Sequence, residues 1–340
     1  MSPDELRRFP KVVLHEHLDG GLRPATILEL ADQIGYDELP ERDVEALAAW
    51  FVRTVKGGGL PGYLKTFDHT IAVLQTAPAL ERVAYESVVD LAADGVIYAE
   101  VRFAPELNTR AGLTIDAVLE AALAGLARGS RETGTGVGLI VDGMRHESRT
   151  REAAEAAVRW RDGGVVGFDI AGPEAGYPPT AHLDAFRTAA AGGLGITIHA
   201  GEADGLESIA AALHDCGAQR LGHGVRIVDD IEDDRLGPLA AEVHDRAVPL
   251  ELCPRSNVDT GAVPTLADHP IDRLLRLGFA VTVNCDNRLM SGTSPSDELA
   301  ALVDTFGWGE EEVRAVTRNA AAVAFAPPER IAGLLAAVDR

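Results

Sequence analysis

Residues 11–20 read KVVLHEHLDG, a β-rich apolar run that ends in two histidines, an aspartate and a glycine. His15 and His17 stand two apart, so on a strand both imidazoles leave the same face. Three later runs end in similar chemistry: GITIHAGE (195–202), RLGHGV (220–225) and AVTVNCDN (280–287). They bring His199 with Glu202, then His223, then Asp286. Such distant residues meet only if a fold gathers the ends of separate strands around one point. A (β/α)8 TIM barrel does this, because its active site is built where eight parallel strands terminate.

The rest of the chain supports that reading. Eight runs read as strands: 11–17, 96–104, 137–144, 165–171, 195–200, 220–225, 248–253 and 280–286. Most are apolar nearly throughout, as expected of parallel strands covered on both faces. Between them lie helical stretches rich in Ala, Leu and Glu, including 78–93, 114–129, 180–191, 204–215 and 295–306. Alternation of this kind implies βα units. The rival is an open doubly wound sheet. Against it, no GxGxxG follows the first run, and GTGVG at 134–138 has the wrong spacing and precedes a strand. Neither a phosphate-binding P-loop nor a GxSxG elbow is found. The expected architecture is one α/β barrel domain over 1–340, with extra C-terminal helices. The long connection after the first strand (18–95) is expected to be a helical insertion packed over the barrel mouth as a lid, because ordinary βα loops are short.

Composition narrows the function. Of 340 residues, 46% are hydrophobic, which is ample for a core, and 53 acidic side chains against 31 basic ones give a formal charge of −22. Such a field repels phosphate backbones and anionic lipid, so nucleic acid and membrane are poor partners, while a small neutral or cationic substrate is compatible with it. No apolar stretch at the N-terminus reads as a secretory signal. The three cysteines, Cys216, Cys253 and Cys285, are widely spaced and form no CxxC. A disulfide framework is therefore not expected, and a cytoplasmic location is. The sequence leaves homo-oligomerisation open.

Each candidate residue also has a bland reading. His15 and His17 suit two metal ligands, or a pair of half-buried strand histidines. His199 suits a third ligand and Glu202 a proton donor, or else a buried histidine and a helix-capping glutamate. His223, between two glycines, suits a ligand, a group that orients and deprotonates a metal-bound water, or a core histidine. Asp286 ends an apolar VTVNC; buried, it needs a cation or several donors, unless it caps a helix. Jointly the bland readings require four coincidences on the one barrel face used for catalysis. The remaining histidines (69, 146, 182, 214, 244 and 269) are expected to be mostly solvated or structural, with His69 in the insertion left open.

In combination the motifs HxHLDG (15–20), DIAGPE (169–174), HAGE (199–202), GHG (222–224), LCPRSN (252–257) and NCDN (284–287) resemble those of adenosine deaminases in the metal-dependent amidohydrolase superfamily. The resemblance runs from about residue 9 to the C-terminus. It implies that His15, His17, His199 and Asp286 hold one zinc ion, that Glu202 protonates the purine ring, and that His223 orients the attacking water. It further implies that Asp19 holds the ribose 5′-hydroxyl, that the Gly172 backbone N–H meets purine N3, and that Leu60, Tyr63, Leu64 and Phe67 form a hydrophobic gate. Adenine deaminases of the superfamily tend to carry glutamate where Asp19 stands, so aspartate favours the nucleoside.

One departure is Asn287, where many members have a second aspartate that bonds purine N7. An amide NH2 donates to N7 at any pH, whereas a carboxyl must first be protonated. Related binuclear hydrolases use a modified lysine at the end of the fourth strand. Here that run is VVGFDIAG, and the chain's only lysines are Lys11, Lys56 and Lys65. One metal per chain is expected. The expected reaction is deamination of adenosine and 2′-deoxyadenosine in purine salvage. The alternatives are another adenine-bearing metabolite such as 6-aminodeoxyfutalosine or adenine, or a catalytically silent nucleoside-binding protein.

Overall fold

Strand β1 (Lys11–His17) is buried at all seven positions, polar side chains included. A strand can be so only where both faces of its sheet are covered, and here the sheet closes into a barrel. In the computed structural model, which describes residues 1–56 and 59–340, β1 is followed by β2 (Val96–Phe103), β3 (Gly136–Met144), β4 (Val165–Ala171), β5 (Gly195–Ala200), β6 (Arg220–His223), β7 (Leu250–Leu252) and β8 (Val281–Val283). Each is parallel to the next in one eight-stranded sheet. The last three strands are shorter than the sequence pattern suggests. The loop after β6 also carries an unexpected antiparallel hairpin, Ile231–Glu232 with Arg235–Leu236, turned at Asp233 and Asp234, both with positive φ.

The barrel closes between β8 and β1, partly through a side chain. Asn284 Oδ1 accepts from the backbone N–H groups of Leu14 (2.8 Å) and His15 (3.1 Å), and its amide donates to Leu252 O and Thr282 Oγ1. One residue pair on, His17 N–H donates to Asp286 O and Asp286 N–H to His15 O. The seam is therefore tied at the C-terminal mouth, where the candidate residues lie.

Inside the barrel runs a chain of buried charges. Arg102 on β2 pairs with Asp169 on β4 (2.6 Å) and Glu251 on β7 (2.8 Å); Arg220 on β6 pairs with Glu251 (2.7 Å) and Glu100 on β2 (2.6 Å). All five side chains are essentially inaccessible to solvent. Charges this deep persist only when each has partners.

Around the strands, α1 (Pro3–Arg8) precedes β1, and α2 (Pro24–Ile34), α3 (Val44–Val55), α4 (Gly59–Leu64), α5 (Phe67–Val73) and α6 (Ala77–Ala93) fill the connection to β2. Gly57 and Gly58, within the expected 18–95 insertion, lie outside the described residues. Helix α6 packs against β2 and α7 (Ile115–Thr133), in the manner of an outer-ring helix. Gly125 on α7 makes the close approach possible, since a Cβ there would sit 2.1 Å from Glu81 O. Thr76 and Thr114 cap these two helices by accepting from Ala79 N–H and Ala117 N–H. The later ring comprises α8 (Thr150–Arg159), α9 (Leu183–Ala191), α10 (Leu206–His214), α11 (Pro238–Asp245), α12 (Pro254–Asp259), α13 (Ile271–Arg276), α14 (Arg288–Ser291) and α15 (Pro295–Phe306). Two C-terminal helices, α16 (Glu310–Val323) and α17 (Pro328–Val338), pack on each other, with α16 against β1 and β8. Among the described residues no helix is long and apolar enough to cross a membrane.

Candidate active site

The carboxyl ends of β1, β5, β6 and β8 deliver five side chains to one point. Ligating atoms of His15, His199, His223 and Asp286 all lie within 4.8 Å of one another. His17 joins them, with Nε2 3.2 Å from Asp286 Oδ1 and 3.3 Å from His199 Nε2. His223 and Asp286 are two of the few non-glycine residues at positive φ (60° and 63°). Such backbone is tolerated where the surrounding structure over-determines it, as at functional sites. Asp286 does not cap a helix: Asn287 occupies the N-cap position of α14, without a side-chain capping bond. Nor does Glu202 cap one; its Oε1 accepts from Thr260 (2.8 Å).

Behind three of the imidazoles stands a carboxylate. His15 Nδ1 is 3.0 Å from Glu251 Oε2, His199 Nδ1 is 2.7 Å from Asp169 Oδ2, and His17 Nδ1 is 3.6 Å from Asp142 Oδ2. At His15 and His199 the carboxylate holds the hydrogen on Nδ1 and turns the Nε2 lone pair toward the common point, the arrangement typical of metal-bound histidine; Asp142 faces His17 from beyond hydrogen-bond reach, and neither of its oxygens has a partner. Sequence reasoning missed these partners, although each is a lone carboxylate within an apolar strand run, the signal used for Asp286.

The titration pattern fits a cation. Burial lowers His15, and lowers His199 to about 3, so both are neutral at pH 7. Burial also acts to lower His17, but the adjoining Asp286 carboxylate outweighs it and raises the ring to about 9. Without a metal ion His17 takes up a proton, which an ion would displace. His15 Nε2 is buried with no hydrogen-bond partner. Three imidazoles, one carboxylate and an orphaned lone pair form a donor set suited to a divalent transition metal.

Glu202 follows Gly201, whose φ of +74° turns the chain out of β5. Glu174 of DIAGPE fixes that turn: its carboxylate accepts from the backbone N–H groups of Gly201, Glu202, Ala203 and Asp204 and from Ser208 Oγ, at 2.6–3.1 Å. Glu202 Oε2 then lies 3.6 Å from His223 Nε2. Burial, with the charge of Asp286 adding to it, raises the Glu202 carboxyl to about 8. It is a protonated acid at neutral pH.

A cavity of about 410 Å³ opens over this cluster. Asp19, Gly172 and Asn287 line it, as do Leu60, Tyr63, Leu64 and Phe67 of α4 and α5. Asp19 is buried, and its Oδ1 has no partner. Gly172 sits at φ +98°, where a side chain would be strained and its Cβ would lie 3.1 Å from Met144 Cε and His146 Nδ1. Gly20 of HLDG makes room for Asn287, whose Oδ1 would be 1.8 Å from a Cβ there. His146 also lines the cavity, whereas His69 bonds to Tyr36 in the insertion, and His269 is buried against Asn257. The buried cysteines 253 and 285 have thiols raised by burial, as inert packing residues do.

Barrel, mouth and clustered imidazoles together define a metal-dependent hydrolase of the amidohydrolase type. The chain belongs to the adenosine deaminase family, whose model matches residues 10–340. It is 57% identical over 332 residues to the adenosine deaminase of Mycobacterium ulcerans, covering 95% of this chain and 92% of that one. Identity to the adenosine deaminase of Mycobacteroides abscessus is 57% over 338 residues, with 96% and 93% coverage. Among solved structures, adenine deaminase from Arthrobacter aurescens superposes with a TM-score of 0.87 at 29% identity, covering 97% of this chain and 98% of that one. An amidohydrolase from Burkholderia ambifaria with bound Zn gives 0.85 at 26% identity, covering 99% and 91%.

Proposed function

We propose that the cavity hydrolytically deaminates adenosine and 2′-deoxyadenosine, giving inosine or deoxyinosine and ammonia, with one zinc ion held by His15, His17, His199 and Asp286. The observation that carries this reading is the pairing of three carboxylate-backed imidazoles with a protonated Glu202 on one wall of a nucleoside-sized cavity. When bound, the ion acts as a Lewis acid and makes water a nucleophile at neutral pH. Support for zinc comes from the imidazole–carboxylate cluster, in which His17 Nε2 lies 3.2 Å from Asp286 Oδ1 and 3.3 Å from His199 Nε2, and from the zinc-containing relative at 26% identity.

The chain's own residues do the rest. Glu202 delivers a proton to purine N1 as the water oxygen bonds to C6; the proton given up by the water passes to the exocyclic amine, the C6–N bond breaks to release ammonia, and the remaining hydroxyl proton returns to Glu202 as the C6 carbonyl forms. His223 and Asp286 orient the water. Asp19 accepts from the ribose 5′-hydroxyl, the Gly172 N–H donates to N3 and the Asn287 amide donates to N7. Leu60, Tyr63, Leu64 and Phe67 close over the base and exclude water, so the part of the 18–95 insertion that precedes α6 serves as the lid of a single barrel domain, while α6 belongs to the outer ring. The acidic surface and the three unpaired cysteines support a cytoplasmic enzyme of purine metabolism acting on small molecules.

Asp19 and the 57% identity to adenosine deaminases favour the nucleoside, while an adenine deaminase superposes on the same fold. Ammonia release from adenosine, 2′-deoxyadenosine, adenine and 6-aminodeoxyfutalosine at equal enzyme separates these substrates. Adenosine and deoxyadenosine are expected to dominate kcat/KM. Dominance of adenine or aminofutalosine would reassign the substrate, and silence toward all four would leave a nucleoside-binding protein.

A further inference from the structure

The three carboxylate-backed histidines contrast with the fourth. His223 Nδ1 faces not a carboxylate but the side-chain amide of Asn257, at 3.1 Å. Which end of that amide it meets is fixed from further away. The backbone N–H of Ile271, which can only donate, points at Nδ1 of the buried His269 (3.1 Å). His269 therefore carries its hydrogen on Nε2 and donates it to Asn257 Oδ1 (3.2 Å). Burial lowers His269 to about 3, so the ring is not doubly protonated. A second backbone donor, Cys253 N–H, meets the same Oδ1 at 3.3 Å. The oxygen of Asn257 is thus occupied twice, and its NH2 group is turned to His223 Nδ1, with Glu202 Oε1 3.5 Å away as its other acceptor.

We infer that Asn257 and His269 are positioning residues that lock His223 in the tautomer with its hydrogen on Nε2, making it a hydrogen-bond donor toward the reacting water and neither a metal ligand nor a proton acceptor. A lone pair on Nε2 would require the hydrogen on Nδ1, where it would confront the Asn257 NH2 group. The same arrangement separates His223 from the other three rings in the cluster, whose Nδ1 atoms face acceptors. Deprotonating the water, one of the roles open to His223 from sequence, would fall elsewhere. The link to turnover rests on the deaminase reading; the tautomer does not.

Two-bond 1H–15N correlation spectra of histidine-labelled, zinc-loaded protein read the tautomers directly. His223 is expected to show a bare Nδ1 and a protonated Nε2, while His15, His17 and His199 show the reverse protonation at Nδ1. Asn257→Asp places an acceptor opposite Nδ1 and should move the hydrogen of His223 there, with kcat falling about 100-fold, as for loss of a preorganised donor, and metal content staying at one per chain. His269→Gln, which retains a donor to Oδ1, should keep more of the wild-type signature than His269→Phe. A wild-type His223 protonated on Nδ1 overturns the inference, and this measurement stands even if the variants fail to fold. An Asn257→Asp enzyme with wild-type tautomer, or with a moved hydrogen and wild-type kcat, overturns it as well. Wild-type protein with the expected tautomer but no turnover of adenosine would instead count against the deaminase reading alone.

Discussion

Glu202 is the residue whose removal should separate metal binding from chemistry. Glu202→Gln retains the side chain's shape but has no acidic proton to give. It should keep its zinc while kcat drops at least roughly 100-fold, the typical contribution of a general acid. Steady-state ammonia release and metal analysis on one sample check this; near-normal turnover would remove Glu202 from its role. Glu106 offers a test away from the centre. It is buried, one oxygen accepts from Met144 N–H (2.8 Å) and the other has no partner; burial raises its pKa from 4.5 to about 7. The folded protein therefore holds a proton there that the unfolded chain has lost. Its contribution is fully present below about pH 4.5 and is lost as pH rises through about 7. That window corresponds to a stability change on the order of 3 kcal/mol. Denaturant melts at about pH 5 and pH 8 should show Glu106→Gln gaining on wild type as pH rises. A pH-independent difference would contradict this.

Two elements hold the site in shape, and each depends on one side chain. The turn after β5 is clamped by Glu174, which satisfies four backbone N–H groups and Ser208. Glu174→Ala orphans these donors, so Glu202 should lose its position and kcat should fall by at least about 10-fold, alongside stability, since each unmet buried donor costs roughly 1–3 kcal/mol. The β8–β1 seam depends on Asn284 in the same way, through the N–H groups of Leu14 and His15. In Asn284→Ala the seam loosens beside His15, His17 and Asp286, and chelator competition should report weaker metal binding. Unchanged metal affinity would mean that the backbone bonds of Asp286 suffice to close the barrel.

These elements also mark how far the sequence could be read. The strands and the clustering of the strand-end residues were legible because βα alternation and strand-end histidines are local patterns. Their carboxylate partners were not, because Asp142, Asp169 and Glu251 acquire meaning only when the barrel brings β3, β4 and β7 against β1 and β5. His269 was legible as structural, yet its orientation of Asn257 depends on the backbone N–H of Ile271, fourteen positions beyond the end of the LCPRSN motif (271 − 257). The hairpin at 231–236 escaped notice because two-residue strands carry no periodicity.

For the whole molecule, a cation at the proposed centre would tie together strands from both ends of the chain, since His15 and Asp286 flank the seam. Chelation should therefore lower the melting temperature, and zinc should restore it. At a thousandfold excess over Kd the linkage contributes about 4 kcal/mol. The acidic surface, with a charge of −22, predicts little affinity for duplex DNA at physiological salt. The central claim is that one metal centre, built from these four side chains, runs the deamination. Its most direct test is to titrate zinc into chelator-stripped protein while following ammonia release from adenosine. Activity should rise from nothing and level off at one equivalent per chain; full activity without metal, or a plateau only at two equivalents, would contradict the account.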